Sequence, residues 1–98
     1  MIFNFKTGNV TFFKEDQDYF EKRLIKLRDL MGWKAGDEDS SEISVSIEKG
    51  KQQSGNRFFA SATLIAPRGK FYAEVNTDNI RKCADLLQSK LKSQLDNF

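Results

Sequence analysis

The 98-residue chain has no histidine, one cysteine, one proline and one tryptophan. Without histidine it lacks the commonest general base and metal ligand of neutral pH. Its lone cysteine, Cys83, cannot close an internal disulfide, and no histidine is present to activate it as a nucleophile. Cys83 lies beside an apolar helical stripe, where simple packing is its expected role. The glycines (Gly8, Gly32, Gly36, Gly50, Gly55 and Gly69) are scattered and form no phosphate-cradling loop. No apolar run approaches the roughly 20 residues that cross a bilayer. The start, Met1 to Lys6, lacks the basic and then apolar stretches of a signal peptide, so a cytoplasmic location is expected. Asp37, Glu38 and Asp39 lack the ligand spacing of a calcium loop and read as a solvated loop. The expectation from these absences is no enzyme activity, no cofactor, no metal site, no membrane partner and no small-molecule substrate.

What is present fits one domain spanning residues 1–98, large enough to bury one core. The composition, 39% hydrophobic and 31% charged, suits a soluble globular fold. A net charge of +2 conceals an uneven distribution. Lys49, Lys51, Arg57, Arg68 and Lys70 fall in a stretch without acidic residues, whereas Asp37, Glu38, Asp39 and Glu42 fall in one without basic residues.

Hydrophobic periodicity gives the elements. Phe3 and Phe5 alternate with Asn4 and Lys6, the pattern of a strand. A break at Thr7-Gly8-Asn9 and the segment Val10 to Phe13 follow. Phe20, Leu24, Leu27 and Met31 then recur at steps of four, three and four, predicting a helix from about Glu15 to Met31 with Gly32 as its C-terminal cap. Glu15, Asp16 and Asp18 suit the positive end of its dipole. Trp33 to Ser41 reads as a loop. Ile43, Val45 and Ile47 alternate with Ser44, Ser46 and Glu48, predicting a half-buried strand. Gly50 to Asn56 reads as a hairpin loop, and Pro67-Arg68-Gly69 as a tight turn. The strands beside that turn direct Phe58, Ala60, Ala62 and Leu64, then Phe71, Ala73 and Val75, inward. Thr77 or Asp78 is the expected N-cap of a second helix, whose stripe is Ile80, Ala84, Leu87, Leu91 and Leu95.

The order β-α-β-β-β-α predicts an α+β fold, with two helices on one face of a four-stranded, mostly antiparallel sheet. The other face, with Ser44, Ser46, Glu48, Ser61, Thr63, Tyr72 and Glu74, is left to water. Self-association through that face or the sheet edges stays open.

Basic residues gather on both helices. Lys22 and Lys26 oppose the first apolar stripe, and Arg23 and Arg28 flank it. On the second helix Arg81 and Lys92 share a flank, Asp85 lies between them as an expected partner for Arg81, and Lys82 and Lys90 lie elsewhere around the helix. Two readings stand: helix solubilisation with i,i+4 pairs, or a surface whose cations replace the counterions of RNA phosphates. Base stacking on the sheet has less support, because Phe58 and Phe71 are expected to face the helices, leaving Phe59 and Tyr72.

Three strings in order resemble the ribosome hibernation-promoting factors, also called ribosome-associated inhibitors. They are Phe20-Glu21-Lys22-Arg23-Leu24-Ile25-Lys26-Leu27; Ala62-Thr63-Leu64-Ile65-Ala66-Pro67-Arg68-Gly69-Lys70-Phe71-Tyr72-Ala73-Glu74; and Asp85-Leu86-Leu87 with Lys90-Leu91 and Gln94-Leu95. The resemblance spans nearly the whole chain. It implies a non-enzymatic inhibitor, active in stress and stationary phase, that occupies the mRNA and tRNA channel of the small ribosomal subunit and contacts its rRNA. It points to Lys22, Arg23, Lys26 and Lys90; charge and helical position add Arg28, Arg81, Lys82 and Lys92. Arg81 stands where the family usually has a tyrosine. The chain ends at Phe98, like the family's short form, which goes with pairing of inactive ribosomes. The alternative is a double-stranded-RNA-binding or protein-interaction module of the same layout.

Overall fold

The computed structural model describes residues 1–30, 41–50, 57–67 and 69–96. Strands β1 (Ile2–Thr7), β2 (Glu42–Lys49), β3 (Phe58–Ala66) and β4 (Gly69–Thr77) form one sheet in the order β1-β2-β3-β4. Helices α1 (Lys14–Leu24), the single turn α2 (Leu27–Leu30) and α3 (Ile80–Asp96) complete the fold. β1 pairs with β2 in parallel, Ile2 against Glu42 through Thr7 against Ile47. The pairs β2–β3 and β3–β4 are antiparallel. The fold is therefore the predicted α+β architecture, with a mixed sheet.

Alternation along the strands decides which face is buried. Ile43, Val45 and Ile47 of β2, Ala60, Ala62 and Leu64 of β3, and Phe71, Ala73 and Val75 of β4 join Phe20, Leu24, Leu27, Cys83, Ala84, Leu87 and Leu91 in one core. Small alanines at the middle of β3 and β4 let the helices approach while large residues fill the gaps, as close packing requires. The Phe20 ring meets Phe5 and Phe12 edge-on, with centroids 6.2 and 5.4 Å away. Phe12, in the irregular segment before α1, thereby ties that segment to the core.

The first helical pattern does not run on as one helix. Arg28 N–H donates to Ile25 O at 3.1 Å, an i to i−3 bond that tightens the chain between α1 and α2. The apolar stripe survives the break, because Phe20, Leu24 and Leu27 are all fully buried. Met31, Gly32 and the loop as far as residue 40 lie outside the described residues, as do 51–56 of the hairpin loop, Lys51 and Arg68. Gly50 N–H donates to Arg57 O at 2.7 Å, closing the β2–β3 ladder. Gly69 opens β4 with φ 154°, a value that side chains disfavour.

The cap of α3 is Asn79, not Thr77 or Asp78. Its Oδ1 accepts the N–H groups of Arg81 (2.9 Å) and Lys82 (3.2 Å). Thr77 is buried as the last residue of β4, and its hydroxyl donates to Asp78 at 3.4 Å. At α1, Asp16 Oδ2 accepts Phe13 N–H at 3.3 Å, supplying the reciprocal half of a capping box.

Candidate nucleic-acid interface

β1, β2 and β4 run one way and β3 the other. α1 and α3 each return from a strand of the first set, so the two helices lie parallel. Their cross-links show it: Asp16 meets Arg81, Tyr19 meets Asp85, and Arg23 also meets Asp85. These residues form a continuous polar seam above the core. Arg81 Nε donates to Asp16 Oδ1 at 3.1 Å, and its guanidinium carbon stands 5.5 Å from the centre of the Tyr19 ring. Tyr19 Oη donates to Asp85 Oδ1 at 2.7 Å. Arg23 Nε lies 2.8 Å from the same oxygen, an ionic contact without hydrogen-bond alignment. Bonding to Asp85, then burial, raises the Tyr19 phenol above its ordinary value of 10.0, despite the opposing influence of Arg23 and Arg81. It remains a donor at neutral pH.

The expected ion pair of Arg81 with Asp85 gives way to Arg81–Asp16 and Asp85–Arg23. The reason is tertiary: a neighbouring parallel helix offers a carboxylate on the side to which each arginine already points. Arg81 keeps about half of its side chain exposed (52%), and Asp16 only 11%. An arginine bonded through Nε retains other N–H groups for a second acceptor.

The sequence-predicted cations separate into groups. Lys22 and Lys26 are exposed, at the end of α1 and in the turn beyond it. Arg23 and Arg81 lie in the seam itself. Lys82 and Lys92 are exposed on α3, with Lys92 on the same flank as Arg81 and Asp85. Lys22, Lys26, Lys82 and Lys92 have no ion-pair partner among the described residues. Arg28 is half-buried on α2. Lys90 is set apart, roughly 160° around α3 from Lys92 by helical geometry. Its Nζ donates to Glu74 O at 2.8 Å, at the outer edge of β4.

Gln94 works beside Lys90. Its Oε1 accepts Tyr72 N–H at 3.3 Å, and its Nε2 donates to Tyr72 O. α3 therefore covers backbone groups that an edge strand would otherwise offer to another chain. Sequence periodicity places Lys90 and Gln94 off the apolar stripe, but no local signal shows that they reach a strand edge.

The open sheet face has a different character. A hollow of about 650 Å³ includes Ser46, Glu48, Phe59, Ser61, Tyr72, Glu74 and Lys90 in its lining. Tyr72 and Phe59 are both exposed, and Tyr72 Oη donates to Glu74 at 3.2 Å. The hollow sets two carboxylates, Glu48 and Glu74, against one lysine, whereas the seam sets Asp16 and Asp85 against two arginines. No group of three or more acidic or cysteine ligands comes together among the described residues. Nor is any described helix long and apolar enough to cross a membrane.

Fold and site define a class: a small α+β domain with a seam of paired charges between parallel helices on one side of its sheet. Among solved structures the chain is similar to a ribosomal subunit interface protein from Coxiella burnetii, with a TM-score of 0.75 and 20% identity over 99% of this chain and 96% of that one. It is also similar to the Protein Y N-terminal domain from Thermus thermophilus, with a TM-score of 0.76 and 18% identity over 99% and 97% of the two chains. No family model and no curated protein matches the sequence. At these identities the likeness establishes the fold, and both neighbours are consistent with the hibernation-promoting factor resemblance of the three sequence strings.

Proposed function

We propose that this protein is a non-enzymatic translation inhibitor that binds the small ribosomal subunit and blocks the path of mRNA and tRNA. The observation that carries the reading is the helical seam, where carboxylates hold Arg23 and Arg81, on the same helical layer as the exposed Lys22, Lys26, Lys82 and Lys92. The seam lies on a fold shared with a protein named for the ribosomal subunit interface. Lys22, Lys26, Lys82 and Lys92 displace counterions from rRNA phosphates, while Arg23 and Arg81 supply fixed N–H donors. Arg28 adjoins one end of the seam. Lys90 belongs to the β4 edge and contributes less to RNA contact. Inhibition is steric, and the interface works in the cytoplasm, where ribosomes idle in stress and stationary phase.

Co-sedimentation with purified ribosomes and separated subunits tests this reading. Pelleting with the small subunit that weakens as salt rises is the expected result. Failure to pellet at low salt overturns it, and binding to isolated RNA duplexes instead identifies a double-stranded-RNA module.

A further inference from the structure

Arg23 and Arg81 are the two seam cations held by carboxylates, and both carboxylates come from the opposite helix. Each sits across a junction between elements more than 60 residues apart in sequence, as the separations of 65 for Arg81–Asp16 and 66 for Tyr19–Asp85 show. Placing acids inside a phosphate-binding surface weakens its long-range attraction. That cost requires a compensating role, and the geometry supplies one. Asp16 is nearly buried, at 8% exposure, and is itself held by Phe13 N–H. Asp85 is fixed by the Tyr19 hydroxyl, and the Tyr19 ring lies under the Arg81 guanidinium. The four contacts form a chain, Asp16–Arg81–Tyr19–Asp85–Arg23, in which each member restricts the next.

We propose that Asp16, Tyr19 and Asp85 are positioning residues that hold Arg81 and Arg23 at a fixed spacing across the seam, so that their remaining N–H groups match two phosphates of a folded RNA. This rests on the reading of the seam as an rRNA interface. The flexible lysines supply attraction, and the buttressed arginines supply fit. An arginine fork held in advance loses less rotamer freedom on binding than a free one.

The proposal makes a sign prediction against simple electrostatics. Removing a negative charge near RNA-binding cations, as in Asp85→Asn, ordinarily tightens their grip on RNA, and removing a neutral hydroxyl, as in Tyr19→Phe, ordinarily leaves it unchanged. Here Asp85→Asn and Tyr19→Phe each weaken binding of the full chain to purified small ribosomal subunits about tenfold, on the scale of a hydrogen bond to a charged group. The slope of log affinity against log salt stays the same, because the count of phosphate-contacting cations has not changed. A second readout is spectroscopic: the Arg81 Nε–H proton, which donates to Asp16 in the parent chain, is expected to exchange faster in Asp16→Ala. Thermal unfolding confirms that each variant is folded at the assay temperature, which separates lost positioning from lost structure. Equal or tighter binding by folded Asp85→Asn and Tyr19→Phe overturns the proposal while leaving the ribosome reading intact. Absence of binding by the parent chain overturns both.

Discussion

Lys22 and Lys26 provide the sharpest test of the seam. Both are exposed and without ion-pair partners among the described residues, so replacing them with alanine removes charge and little packing. If each neutralises one rRNA phosphate, the double variant lowers the slope of log affinity against log salt by about 1.8, taking roughly 0.9 per phosphate of a duplex. Between 50 and 200 mM salt, a fourfold change, the affinity gap between parent and variant then shrinks by about 12-fold. Lys90→Ala is the internal control. Lys90 donates to Glu74 O on the far flank of α3, so its loss leaves the slope nearly unchanged. The assay is fluorescence titration of small subunits at four or more salt concentrations. A double variant with the parent slope, or a Lys90→Ala slope that drops as far as that of the pair, refutes the placement of the interface.

Three further outcomes concern the fold. Phe20→Ala empties a fully buried site against Phe5 and Phe12 and lowers unfolding free energy by about 3–5 kcal/mol in urea titration, a large share of the stability of a domain this size. Asn79→Ala leaves two N–H groups at the start of α3 without their acceptor and costs about 1 kcal/mol, read as a lower thermal midpoint. Burial pushes the Cys83 thiol from 9.0 up to about 11, so the unfolded chain loses this proton first as pH rises. The stability contributed by the neutral buried thiol is complete below pH 9 and is lost as pH climbs through about 11. The loss is on the order of 2–3 kcal/mol, and it is absent from the pH profile of Cys83→Ala; identical profiles contradict the assignment.

Much of the architecture was legible along the chain because its cause is local. Alternation of Ile43, Val45 and Ile47 with serines and a glutamate identifies both β2 and its buried face, since a strand turns successive side chains to opposite sides. The stripe through Ala84, Leu87 and Leu91 identifies α3 in the same way. The candidate cations came from two sources: the resemblance points to Lys22, Arg23 and Lys26, and charge and helical position add Arg81 and Lys92. Reasoning from local pattern extended the first helix through the tightened turn at Ile25 and placed the α3 cap too early, because one hydrogen bond decides each boundary and periodicity does not resolve it.

The pairing of charges needed the third dimension. Asp85 is the nearest carboxylate to Arg81 on its own helix, yet the parallel packing of α1 brings Asp16 to Arg81 and turns Asp85 toward Arg23 and Tyr19. Helical position puts Lys90 and Gln94 off the apolar stripe, and the family resemblance points Lys90 at RNA; that both reach the edge of β4 shows only in the packed structure. The strands, their order, the helical stripes and the faces they bury follow from side-chain spacing along one segment, whereas the break between α1 and α2 does not. Which cations are held by carboxylates and which guard a strand edge became visible only on folding, because those roles depend on groups brought together from distant segments.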